Sequence, residues 1–133
     1  MQSIVRLLII FTALLAAVYV SGANLNGEWT DITVQSKAVI VQKGNQVDIT
    51  NSFMWKGKDV EWKATGVLRG CGLSLRYWYT RNMPEGWEPG TMDLRLVDSK
   101  TLTGCWVSEN KKYRQNITLK YVRPLQSENE PGK

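Results

Sequence analysis

Histidine is absent from the chain of 133 residues, so the side chain that most often moves protons and binds metals is not available. Asp31, Glu61 and Asp93 are predicted to face outward, and Glu85 and Glu88 fall in a predicted loop. No two carboxyl groups are therefore expected to face each other across a site. The sequence predicts no catalytic residue, no metal and no cofactor. A histidine-free enzyme that uses tyrosine, arginine and a carboxylate stays an alternative.

Large aromatic rings could act by binding rather than by reacting. The chain has six tryptophans, and all of them lie after residue 23. Such rings build apolar cores and ligand pockets, and tryptophan and tyrosine each keep one polar atom for a hydrogen bond. Which rings reach a common site depends on the elements that carry them. The six are Trp29, Trp55, Trp62, Trp78, Trp87 and Trp106.

Short runs with the alternation of β-strands recur along the chain, and no apolar pattern has the period of a helix. Each run has one apolar face, which indicates one shared core. Consecutive strands joined by hairpins can remove their free edges by closing, so we predict an all-β fold, an eight-stranded antiparallel up-and-down barrel. A β-sandwich is the alternative. The predicted strands are 26–34, 38–43, 46–51, 59–69, 71–80, 91–98, 101–107 and 114–123.

The chain begins with the parts of a secretory signal, namely Arg6, an apolar run over 7–20 and small residues over 21–23. The run is shorter than the about 20 residues that a membrane span needs. We therefore predict a signal peptide over 1–23, a barrel domain over 24–123 and a disordered tail over 124–133. The protein is expected to be secreted (periplasmic if its source is bacterial), with no membrane span after cleavage.

The first and last predicted strands carry a recognisable pair of features. Gly27-Glu28-Trp29 opens the first strand, and Arg123 ends the last. This combination resembles the calycin superfamily of lipocalins, fatty-acid-binding proteins and avidins, and no motif selects one member family. The resemblance implies that Gly27, Trp29 and Arg123 form the closed base of the barrel, with Arg123 covering the Trp29 ring. Alternation also gives Arg123 the inward parity of Ile117, and a cation over an indole is favourable.

The base predicts where a ligand would bind. With Trp29 at the closed end, every short turn falls at that end and every longer connection at the other. Eight-stranded barrels can hold one small ligand at an open mouth, although inward rings can also simply fill the interior. Tryptophans in loops favour a contact surface, and the loop 81–90 is stiffened by two prolines. The predicted ligand-binding residues are Trp62, Tyr79, Met92 and Trp106 in the cavity and Trp55, Trp87 and Tyr113 on its rim.

Cys71 and Cys105 are the only cysteines of the chain. Export favours a disulfide between them. Their predicted positions on opposite faces of strands that are not neighbours oppose one, so both alternatives stay open. Asn116 starts the tripeptide Asn-Ile-Thr, an acceptor for N-glycosylation on the outer face if the source is eukaryotic.

The formal net charge of +5 is spread along the chain, and the cluster Lys111, Lys112 and Arg114 is too small to predict nucleic-acid binding. We predict a secreted binding protein that holds a small or extended, apolar or aromatic-compatible ligand at the open end. The alternatives are an inhibitor of a secreted enzyme, acting through the Trp87 loop, and the histidine-free enzyme. The expected partner is thus a small molecule or a secreted protein, and the oligomeric state stays open.

Overall fold

The computed structural model describes residues 23–126, which form eight strands. The predicted signal peptide, except its last residue Ala23, and most of the predicted tail lie outside these residues and stay predictions. None of the described residues belongs to a helix long and apolar enough to cross a membrane. The strands are β1 (Gly27–Asp31), β2 (Ser36–Lys43), β3 (Gln46–Trp55), β4 (Lys58–Arg69), β5 (Gly72–Arg81), β6 (Gly90–Asp98), β7 (Thr101–Ser108) and β8 (Arg114–Arg123).

The strands form one closed antiparallel barrel in which each strand pairs with the next and β8 pairs with β1. The closing pair runs from Glu28 opposite Arg123 to Asp31 opposite Leu119. Closure gives the end strands of the sheet a partner, which removes the unpaired backbone groups of an open edge. The prediction of an all-β up-and-down barrel is confirmed, and the alternative of a sandwich is wrong.

Alternation along the strands builds the core. On β5, for example, Leu73, Leu75 and Tyr77 are buried, whereas Ser74 and Arg76 are exposed. The same period of two in most of the other strands places their apolar side chains in one interior. The largest fully buried apolar side chains are Trp29, Leu25, Ile40, Ile49, Leu73, Leu102, Leu119, Val47 and Val60.

Trp29 lies buried in the base of the barrel, with 1% of its surface exposed. Its Nε1 donates a hydrogen bond to the Leu25 carbonyl oxygen at 2.9 Å. Tyr121 packs edge-on against the indole, with ring centroids 5.6 Å apart. Gly27 is required beside this pair because a Cβ there would lie 2.5 Å from Cε1 of Tyr121. Gly27 and Trp29 therefore both lie in the base, as expected.

The expected inward position of Arg123 is wrong. The register of β1 and β8 shifts between Glu28 and Trp29, so Arg123 falls opposite Glu28 instead of continuing the inward row. Its side chain is 62% exposed, and its Nε lies 3.3 Å from Oε2 of Glu28. Tyr121, and not a guanidinium, supplies the edge contact to the Trp29 ring.

The connections differ between the two ends of the barrel. At the base, the turns 44–45, 70–71 and 99–100 have two residues each. At the opposite end, which we call the mouth, the connections are 32–35, 56–57, 82–89 and 109–113. Three of these four are longer than the base turns, as predicted. The fourth, 56–57, has only two residues, so the expectation of a longer connection there is wrong. The mouth is therefore the end at which irregular chain can shape a site.

Two strand boundaries at the mouth differ from the prediction. The turn 56–57 is a tight hairpin, because Lys56 and Gly57 both have positive φ, as two-residue turns of this type require. The hairpin of β3 and β4 therefore extends further than predicted, and Trp55 ends a strand instead of lying in a loop. Conversely, β1 ends early because the Asp31 carboxylate accepts a hydrogen bond from Thr33 N at 2.9 Å, which closes a local turn.

Candidate functional site

A cavity of about 480 Å³ opens at the mouth. Six of the seven predicted ligand-binding residues line it, namely Trp55, Trp62, Tyr79, Trp87, Met92 and Trp106. The seventh, Tyr113, lines a smaller neighbouring cavity of about 210 Å³. Tyr79, Trp87 and Trp106 belong to both walls, so these three rings stand between the two compartments.

Trp87 is the centre of an outer cluster of rings. It lies on the loop 82–89, and its ring centroid is 5.1 Å from that of Trp55 and 6.0 Å from that of Tyr79. It also stacks on Phe53 at 6.1 Å. The extended hairpin of β3 and β4 thus meets the loop above the cavity, and aromatic pairs at these separations attract each other.

Tyr77 is the centre of an inner cluster. Its ring meets those of Trp62, Tyr79 and Trp106 in edge-on contacts at 6.3, 6.2 and 6.1 Å. Phe53 and Tyr77 both line the large cavity and are absent from the predicted set. Their inward parity on β3 and β5 could have added them. The wall therefore holds seven aromatic rings in two connected tiers.

The loop 82–89 is held at both of its ends. Asn82 donates a side-chain hydrogen bond to the Asp59 carbonyl oxygen at 2.8 Å. At the other end, Glu109 N donates to the Pro89 carbonyl oxygen at 2.9 Å, and Asn110 N donates to Oε2 of Glu88 at 3.1 Å. These bonds join the loop to the start of β4 and to the connection 109–113. Trp87 is therefore positioned before any ligand arrives, which lowers the ordering cost of binding.

Two tyrosines place polar atoms among the rings. The Tyr77 hydroxyl is buried and has no hydrogen-bond partner among the described residues. Burial, followed by the charges of Glu109 and Glu88, raises the pKa of Tyr77 to about 12. Burial also raises the pKa of Tyr79. Both hydroxyls stay protonated at neutral pH, and an unpartnered buried hydroxyl is a hydrogen-bonding group for a ligand.

Asp31 also lines the large cavity, which corrects its predicted outward position. Its side chain has the inward parity of Trp29, and the residue is only 8% exposed. That shared parity is the signal in the sequence that could have placed it correctly. Burial raises the pKa of the Asp31 carboxyl, while hydrogen bonds from Thr33 and Val34 oppose the rise. The mouth therefore combines aromatic walls with one partly desolvated acid.

The pKa direction of Asp31 predicts the effect of Asp31→Asn on stability. Ionisation costs the folded state more than the unfolded chain, and this cost appears as the pH rises through the raised pKa. The variant should therefore melt at a higher temperature than the wild type near pH 7, with a gain that shrinks toward about pH 3. Melting curves at both pH values test this, and a lower midpoint for the variant at pH 7 would contradict it.

Asp98→Asn is a matched control, for which the opposite change in melting temperature is expected. Lys100 N donates a hydrogen bond to Oδ1 of Asp98 at 2.8 Å, and this bond together with one from Thr101 lowers the pKa of the carboxyl. The ionised form is thus favoured by folding, and this stabilisation is lost as the pH falls through the lowered pKa. Asp98→Asn should melt below the wild type near pH 7 and approach it in acid.

Cys71 and Cys105 are free, so the alternative of a disulfide between them is wrong. Cys71 lies in the turn 70–71, where its carbonyl oxygen accepts a hydrogen bond from Leu96 N at 2.8 Å. Cys105 lies on β7 opposite Asp93 of β6, and β6 separates β7 from β5. The predicted outward position of Cys105 and the strand β6 between β5 and β7 explain why the thiols do not meet.

Asn116 is exposed on β8 and also borders the large cavity. A glycan there would have room outside the barrel and would stand beside the mouth. Glycosylation stays a prediction. Over residues 23–126, no three side chains of Cys, Asp or Glu come together as ligands for a metal ion.

The architecture, an eight-stranded antiparallel closed barrel with sequential pairing, is compatible with calycin-type folds. No family model, no curated protein and no solved structure matches the chain.

Proposed function

We propose that the protein is a calycin-like, secreted binding protein that holds one small ligand in the mouth of the barrel. The observation that carries the proposal is the cavity of about 480 Å³ with seven aromatic rings in its wall. Its size falls in the range of small-molecule sites, which are concave, mostly apolar and largely preformed. The closed base around Trp29 leaves the mouth as the entrance.

The unpartnered Tyr77 hydroxyl gives independent support. A buried hydroxyl without a partner destabilises a fold, by about 1–3 kcal/mol in typical proteins. This hydroxyl exposes less than 1 Å², so a ligand that displaces the neighbouring side chains and brings a polar atom to it would satisfy it. Tyr77 lines the apolar cavity, so the hydroxyl that lacks a hydrogen-bond partner belongs to the same site.

The position of Trp87 favours a cavity over a protein-docking loop. An inhibitor that acts through this loop would project the ring outward, because exposed aromatic anchors supply the contact. Trp87 instead packs on Phe53, Trp55 and Tyr79. The ring is thus engaged in the wall of the site.

Native mass spectrometry of the protein purified from its own source tests the proposal. We expect the mass of the chain plus one small molecule, which leaves on collisional activation and is recovered in an organic extract. A complex with a second protein, together with a barrel that carries no small molecule, would contradict the proposal and favour the inhibitor.

A further inference from the structure

The wall of the large cavity carries one formal charge, and it is negative. Asp31 is the only ionisable acid or base of the Asp, Glu, Lys and Arg types among the lining residues described. Its Oδ1 accepts the hydrogen bond from Thr33 N, and no ion pair of Asp31 occurs within residues 23–126. A carboxylate that is 8% exposed and lacks a cationic partner is costly to keep in a fold.

The aromatic rings of the same wall favour a positively charged ligand. The face of an aromatic ring carries negative electrostatic potential, so it attracts cations and repels anions. The rim already holds one such contact, in which Nζ of Lys56 lies 5.8 Å from the Trp55 ring centroid. Inside the cavity, no lysine or arginine of the described residues contributes to the lining. The cavity therefore favours a cationic ligand, because the described residues place no cation of their own in the lining.

Basic side chains stand around the mouth without entering it. Lys111, Lys112 and Arg114 are exposed on or beside the connection 109–113. Charges in solvent beyond about 8–10 Å are screened at physiological ionic strength, whereas an ion pair in a half-closed cavity is screened much less. These residues therefore lower the rate at which a cation arrives more than its affinity once bound.

We propose that the ligand of the mouth is a small organic cation, an aromatic or branched apolar body that bears a protonated or quaternary amine, held by the Asp31 carboxylate and the surrounding rings. This inference rests on the proposed function and specifies its ligand class. The ammonium group contacts Asp31, and the apolar body lies against the tryptophans.

The test uses three probes that each carry a phenyl ring on a short chain and differ in charge, namely phenethylamine, 2-phenylethanol and phenylacetate. Their dissociation constants are measured at pH 7 by calorimetry or tryptophan fluorescence. The cation should bind at least about tenfold more tightly than the alcohol, a difference of about 1.4 kcal/mol, and the acid more weakly than both.

Asp31→Asn is the decisive variant, and Asp93→Asn is its matched control because Asp93 is an exposed carboxylate on β6. Asparagine can still accept the hydrogen bond from Thr33 N, so the turn is retained. Asp31→Asn should weaken phenethylamine about tenfold, leave 2-phenylethanol within about twofold and strengthen phenylacetate. Asp93→Asn should leave all three affinities unchanged.

The outcomes separate the ligand class from the function. Equal affinity for the three probes, or an equal change for all three in Asp31→Asn, would overturn the cationic ligand. In that case, binding of the alcohol by the wild type that is lost in Trp87→Ala would keep the proposed function. If none of the three probes binds at millimolar concentration, both the ligand class and the proposed site are wrong.

Discussion

Replacing Trp29 by alanine should lower the free energy of unfolding by about 3–5 kcal/mol, the usual range for deleting a large ring from a core. The ring is 1% exposed, donates a hydrogen bond to Leu25 and contacts Tyr121. Because whole domains are stable by only about 5–15 kcal/mol, the variant could lose its fold altogether. Urea unfolding followed by circular dichroism measures the loss.

Two further variants keep this expectation testable. Trp29→Phe retains an aromatic ring and removes the Nε1–H donor, so it should fold and lose about 1–2 kcal/mol. Arg123→Ala should cost less than about 0.5 kcal/mol, because its side chain is 62% exposed and its ion pair with Glu28 faces solvent. A larger loss for Arg123→Ala than for Trp29→Phe would contradict this account of the base.

Replacing Trp87 by alanine should weaken binding at the mouth by at least about 2 kcal/mol, or about thirtyfold, because buried aromatic anchors dominate binding energies. The ring forms part of both cavity walls, so its loss merges the two compartments. Its three aromatic contacts also predict a modest loss of stability, about 1–2 kcal/mol. Titration with N-phenyl-1-naphthylamine, an uncharged dye that fluoresces in apolar surroundings, measures the affinity.

Trp78→Ala is the matched control for this measurement. Trp78 is exposed on the outer face of β5, on the opposite side of the strand from Tyr77 and Tyr79. It should bind the dye as the wild type does. Trp55→Ala should lie between the two, because Trp55 is 41% exposed and contacts Trp87. Dye binding that is unchanged in Trp87→Ala while the melting temperature falls would make Trp87 a purely structural residue.

The fold was predictable because one rule, alternation with a period of two, holds along most of the strands, β7 being the exception. It places Leu73, Leu75 and Tyr77 inside and their neighbours outside. The position of the mouth was predictable for a related reason. Once Trp29 lies at the base, strand direction alone distributes the connections between the ends of the barrel.

The errors arose where backbone geometry interrupts that rule. The shift of register between Glu28 and Trp29 turns Arg123 outward, and a bulge of this kind has no reliable signature in sequence. The tight turn at Lys56 and Gly57 lacks the usual asparagine or aspartate, so the sequence predicts a loop where the long hairpin carries Trp55.

Asp31 shows the limit of reading side chains by type. Its parity with Trp29 places it inside, but acids are almost never buried without a partner, and that general expectation favoured the outer face. Sites for ligands are where such expectations fail, because a group that is unfavourable in the empty protein can be satisfied by what binds. The seven rings of the wall, in contrast, were mostly found from parity and position alone.

The most direct test of the central claim is a map of backbone amide shifts by NMR, recorded with and without saturating 2-phenylethanol. If the mouth is the binding site, the largest changes should fall in the connections 32–35 and 82–89 and in the adjoining ends of β3 and β5. The base turns 44–45, 70–71 and 99–100 should not move. Changes centred on the base or spread over the outer faces of the strands would contradict a ligand site at the mouth.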